Sequence, residues 1–128
     1  MRYEWIVPIK LDSVANKREH WSKAYSRAKK QKQVIKMLFL SEKPVISLPA
    51  HIKLTRVAPR SLDDHDNLRM AMKAVLDEIC GLIIPGLAAG RADSDPRLTF
   101  EYAQERGKPK EYALKIEIIC EKQQSVCF

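Results

Sequence analysis

The chain has 128 residues, 45% of them hydrophobic, with 23 Lys and Arg against 16 Asp and Glu and a net charge of +7. That length fits one domain, residues 1–128, with a core of its own, and no apolar run approaches the ~20 residues of a membrane helix. The charge is uneven: residues 1–57 carry +9, a balance that attracts polyanions, and residues 58–128 carry −2.

Tyr3 to Ile9 is rich in aromatic and β-branched residues and reads as a strand, with Pro8 marking an edge or an end. Glu4 interrupts its apolar stretch, so a signal peptide is not expected. Asp12 or Ser13 suits a helix cap. From Asn16 to Leu40 the spacing of Trp21, Ala24, Ala28, Ile35 and Leu38 predicts a helix with a buried stripe and a basic remainder. Lys43-Pro44 and Leu48-Pro49 break the chain. His51 to Val57 alternates, with Ile52 and Leu54 on one face and Lys53 and Thr55 on the other.

A second helix is expected from Asp66 to Leu82, burying Leu68, Ala71, Met72, Val75 and Ile79. Gly81, Pro85, Gly86 and Gly90 then mark a loop. Leu98, Phe100 and Tyr102 alternate with Thr99, Glu101 and Ala103 in a third strand. Arg106 to Pro109 is a turn, and Tyr112 to Ile118 is a fourth strand, so the last two are expected to pair as a hairpin. The order is β-α-β-α-β-β: a small α/β (α+β) domain with a mixed sheet and two main helices. Cys80, Cys120 and Cys127 lack ligand spacing and read as reduced packing residues, which points to a cytoplasmic setting.

The chemistry concentrates in two acidic segments. Asp63, Asp64 and Asp66 precede the second helix, and Asp93 and Asp95 lie in the loop after it. Clustered carboxylates repel one another unless a proton or cation neutralises them. Hard divalent ions such as Mg²⁺ take carboxylate oxygens together with substrate phosphates. In an extended stretch Asp64 and Asp66 point the same way and reach one metal, whereas Asp63 points oppositely. Asp66 equally suits a helix N-cap. Lys73 lies two helical turns beyond Asp66 and returns to its face, where it either meets a phosphate or pairs with Asp77 four residues on. Asn67 suits a turn-holding hydrogen bond. His20, His51 and His65 show no ligand spacing and read as non-catalytic. Lys23, Arg27 and Lys30 recur at helical spacing away from the apolar stripe and can face a nucleic acid; a solvated basic face is the plain alternative.

The runs Asp64-His65-Asp66-Asn67-Leu68, Lys73-Ala74-Val75-Leu76-Asp77 and Asp93-Ser94-Asp95-Pro96-Arg97-Leu98 resemble the RusA family of Holliday junction resolvases, particularly its phage and prophage members. Asn16 to Trp21, Tyr102-Ala103-Gln104 and the final strand extend the likeness over nearly the whole chain. The second acidic motif of the family usually opens with two adjacent aspartates, where this chain has Ala92-Asp93. Lys73 matches the longer-spaced form of the lysine motif. The resemblance implies a small mixed α/β fold, a homodimer, and Mg²⁺-dependent paired nicking of four-way junctions in DNA recombination and repair, with Mn²⁺ as an alternative ion. By position it implies Asp64, Asp66 and Asp93 as metal ligands and Asn67 and Lys73 as catalytic residues; Asp95 beside Asp93 is a further metal candidate, and Arg18, Lys23, Arg27 and Lys30 of the basic helix are the expected DNA contacts. A branched-DNA binder that does not cut, or a basic module that docks an acidic protein, remains the alternative from another class.

Overall fold

A computed structural model describes residues 2–11, 21–62, 65–84 and 95–120, with the backbone alone for Trp21 and residues 65–67. The elements follow the expected order: β1 (Arg2–Val7), α1 (Trp21–Glu42), β2 (Ala50–Ala58), α2 (His65–Ile83), β3 (Leu98–Arg106) and β4 (Ala113–Cys120). The strands form one mixed sheet, ordered β1-β4-β2-β3. β2 and β3 run parallel, from Ala50↔Leu98 to Ala58↔Arg106, with α2 in the connection between them. β4 runs antiparallel to both β1 and β2.

The expected β3–β4 hairpin does not form, because β4 passes to the far side of β2. Burial explains the choice. Leu114, Ile116 and Ile118 are fully buried, as suits a central strand, whereas on β3 only Leu98 is buried. The six residues 107–112 easily span the ~10 Å from one side of β2 to the other. At Gly107 the chain crosses the end of β2, its N–H donating to the carbonyl of Ala58 at 2.9 Å. A Cβ there would lie 3.1 Å from Val57 Cγ1 and 3.3 Å from Glu111 Cβ, so glycine permits the close crossing.

Both helices cover one face of the sheet. The expected α2 stripe is buried in full, and Leu76 and Cys80 widen it. Among the described side chains of α1 only Ile35 is fully buried, while Ala24, Ala28 and Leu38 are half-buried and that of Trp21 lies outside the described residues. Phe39, outside the expected stripe, packs on Trp5 at 5.7 Å between ring centroids. Ile35 and the α2 stripe join Ile52, Leu54, Ile116 and Ile118 in a single core, with Leu38, Phe39 and Trp5 packed against it. Each fully buried aliphatic side chain there contributes roughly 1.5–3 kcal/mol, and Ile116→Ala would cost about 2–5 kcal/mol through the cavity it leaves. Cys80 and Cys120 are buried and in no disulfide, and Cys127 lies outside the described residues. α1 stops where Lys43 turns to a positive φ of 47°, its N–H still bonded to the Phe39 carbonyl. Among the described residues no helix is long and apolar enough to cross a membrane.

Candidate nucleic-acid interface and acidic site

The backbone that leads into the first acidic segment is held from two sides. Arg56 sits two residues after Leu54, on the covered face of β2, and is 6% exposed. Its Nε donates to the Leu11 carbonyl at 2.6 Å and its Nη1 to the Arg60 carbonyl at 2.8 Å. The Leu62 N–H donates to Gln104 Oε1 at 2.7 Å, and Gln104 Nε2 donates back to the Leu62 carbonyl at 3.2 Å. One arginine and one glutamine therefore fix residues 60–62 against β2 and β3, immediately before Asp63.

α2 begins at His65, which sets Asp66 and Asn67 in its first turn. The helix dipole favours negative charge at that end. The two-residue alternation expected across 64–66 does not carry through Asp66, because the backbone there is already helical. The N-cap position likewise falls before His65 rather than at Asp66. Asp63, Asp64, Asp93, Arg18 and His20 lie outside the described residues, as do the side chains of His65, Asp66 and Asn67.

Lys73 shares α2 with Asp66, seven residues on and on the same helix face. Its Nζ lies 3.2 Å from Asp77 Oδ1, the plain (i, i+4) pair. Both line a crevice between the helices, together with Arg27, Gln31 and Lys32 of α1. Asp95 is engaged elsewhere. Its Oδ1 accepts from the Arg97 N–H and Nε, both at 2.9 Å, and its Oδ2 accepts from Nη2 at 2.8 Å. Those bonds hold the Asp95 carboxyl down at about 2. Asp95 also stands at the start of β3, where its carbonyl accepts the Leu98 N–H. Leu62 is bound at Gln104, six residues or ~20 Å further along the strand. Leu62 and Asp95 thus meet β3 near its two ends. Among the described residues, no three His, Cys, Asp or Glu side chains come together as a metal site would require.

The basic residues of α1 do converge. Lys23, Arg27 and Lys30 line one groove of about 520 Å³ between α1 and the exit of β1. Lys10 is a fourth cation on its rim, with Nζ held 4.7 Å from the centroid of the Tyr112 ring. Pro8, Ile9 and Val34 supply apolar lining, and no carboxylate lines the groove among the described residues. Arg27 and Gln31 line both this groove and the crevice that holds Lys73, so the two are neighbours.

His51 lies on the open face of the sheet, its Nδ1 2.7 Å from Thr99 Oγ1 and its Nε2 3.5 Å from Glu101. Three residues of this region were not evident as functional from the sequence. Arg56 could have been found, since strand parity puts it on the same face as Ile52 and Leu54, where a guanidinium needs carbonyl acceptors. Gln104 is marked in the sequence only as part of the Tyr102-Ala103-Gln104 likeness, and Lys10 carries no such signal. The chain matches no protein-family model and no curated protein sequence.

Proposed function

We propose that this chain is a Mg²⁺-dependent endodeoxyribonuclease that resolves four-way DNA junctions by paired nicks, acting as a homodimer whose two-fold axis matches that of the junction. The observation that carries the reading is the gathering of Lys23, Arg27 and Lys30 in one groove that adjoins the crevice of Lys73. A cationic channel beside the helix that bears Asp66 suits a phosphodiester substrate.

Asp64, Asp66 and Asp93 would hold the metal, since carboxylates are the hard oxygen donors that Mg²⁺ and Mn²⁺ take. When bound, the ion supplies an activated water and neutralises charge on the phosphoryl oxygens. Lys73 adds positive charge on the same helix face, toward the scissile phosphate. Arg56 and Gln104 keep the approach to Asp63 and Asp64 in place. The groove cations bind DNA arms by their phosphates.

The test compares junction, fork and linear duplex as substrates, with Mg²⁺ and with a chelator. Nicks placed symmetrically across the junction and dependent on the ion are expected. A second reading, recognition of branched DNA without cutting, is favoured by the pairing of Lys73 with Asp77. Tight junction binding with no metal-dependent product would select it.

A further inference from the structure

We infer that the groove between α1 and the exit of β1 takes an unpaired strand of DNA, with a base against its apolar floor and phosphates on its rim. The inference shares with the nuclease reading only that the partner is DNA, and its test needs neither metal nor cleavage.

Two properties of the groove decide between unpaired strand and duplex. Its rim is cationic: Lys10, Lys23 and Lys30 line it from two different elements, and no carboxylate lines it among the described residues. Cations alone would serve duplex equally well, since duplex binding is dominated by phosphate neutralisation. The second property is concavity over an apolar floor. At about 520 Å³ the groove is in the size range of small-molecule sites, and Pro8 and Val34 give it an apolar surface between the charged groups, over the buried Ile9. Val34 is 38% exposed, so that surface is accessible.

A duplex turns its phosphates outward and keeps its bases stacked inside, so it would meet the rim and leave the floor wet. An unpaired nucleotide offers both parts at once: a flat, poorly hydrated base and a phosphate joined to it through a single sugar. Single strands are held without sequence preference in positive grooves that track the backbone, with bases stacked on aromatic side chains; here the aliphatic surfaces of Pro8 and Val34 take the place of the aromatic platform. Lys10 completes the arrangement. The Tyr112 ring under its Nζ fixes the ammonium on the wall opposite α1, so phosphates can be met from both sides of the groove.

The test is fluorescence anisotropy with a labelled oligothymidylate and a matched duplex, in chelator, on wild type, Lys10→Gln and Val34→Ser. Circular dichroism confirms folding of each variant. Wild type should prefer the single strand. Val34→Ser should weaken strand binding about threefold to tenfold, the effect of losing one aliphatic contact with a base, and keep duplex binding within a factor of about two. Lys10→Gln should weaken strand binding and lower its salt slope by up to ~0.7, the share of one single-strand phosphate. A wild type that prefers duplex, or a Val34→Ser protein that binds the strand as wild type does, overturns the inference. Displacement of the oligonucleotide by adenosine monophosphate at equal nucleotide concentration would overturn it too, in favour of a mononucleotide pocket. A chain that never nicks a junction can still pass every arm.

Discussion

The open face of the sheet and the α1 groove are both rich in Lys and Arg, and they use them in opposite ways. On the open face each cation is compensated. Arg2 pairs with Glu4 at 2.7 Å and Glu117 at 3.0 Å, Lys53 with Glu101 at 3.3 Å, and Lys115 with Glu105. The groove collects Lys10, Lys23 and Lys30 with no carboxylate in its described lining. Exposed pairs of the first kind contribute little to stability and present little field to a ligand. A concave cationic surface concentrates potential and raises the local density of polyanions. Net charge alone therefore does not locate a binding surface; the arrangement of opposite charges does.

The largest expected effect lies outside both regions and sets the scale for them. Asp66→Asn should bring junction nicking below detection while junction binding is kept or tightened, because removing a negative charge cannot weaken phosphate attraction. Near-normal cleavage by that variant would take Asp66 out of the metal site. Next in size is a scaffold effect. Arg56→Met removes two charged hydrogen bonds and leaves the Leu11 and Arg60 carbonyls short of a donor, at a cost of about 2–4 kcal/mol in urea unfolding. A change under about 0.5 kcal/mol would mean that water replaces the guanidinium at little cost.

The comparison itself is broken or sharpened by charge removal in the two regions. Lys23, Arg27 and Lys30 changed together to Gln should weaken junction binding and lower the slope of log affinity against log salt, by up to ~0.9 for each phosphate no longer neutralised. Lys53→Gln on the open face should leave that slope unchanged. Equal slopes for the two proteins would erase the distinction between the regions.

The smallest effect is a pH dependence on the open face. Lys53, with a lesser contribution from His51, holds the Glu101 carboxyl below its ordinary value. A depressed carboxyl stabilises the fold above its unfolded pKa, ~4.3, and that contribution is lost as pH falls through the lower folded value. The stability difference between wild type and Glu101→Gln should thus be constant near neutrality and shrink below about pH 4. Because the pair is exposed, high salt should shrink it as well.

Much of this architecture is legible in the sequence, for identifiable reasons. Leu68, Ala71, Met72, Val75 and Ile79 have the helical period, and all are buried. Strand alternation correctly assigns Ile52 and Leu54 to the core. The sheet order is less accessible, because alternation tells which face a residue takes and not which strand lies beside it. Both β3 and β4 alternate. What separates them is the inward row: Leu114, Ile116 and Ile118 keep it aliphatic along β4, whereas on β3 it passes from Leu98 and Phe100 to Tyr102 and Gln104, which suits an edge. The candidate site divides in the same way. Helical spacing was enough to put Lys23, Arg27 and Lys30 together. Lys10 joins them only through tertiary packing at the exit of β1, where no period exists to reveal it.

The pairing of β1 with β4, from Arg2↔Ile119 to Val7↔Leu114, has a consequence for how the chain acquires its shape. Among the described residues β1 has one neighbour in the sheet, and it is the strand farthest along the chain. On a ribosome, β1, β2 and β3 all emerge before the strand that must lie between β1 and β2. Until residues 113–120 are free, a slot stands open at the centre of the sheet, with the bonding edge of β2 bare on that side. Pairings so distant in sequence slow folding and leave such edges exposed to mispairing in the interval. Translation arrested before Ala113 should yield a protease-sensitive chain despite nearly all of the helical sequence being present, and release of the last strand should convert it in a single cooperative step.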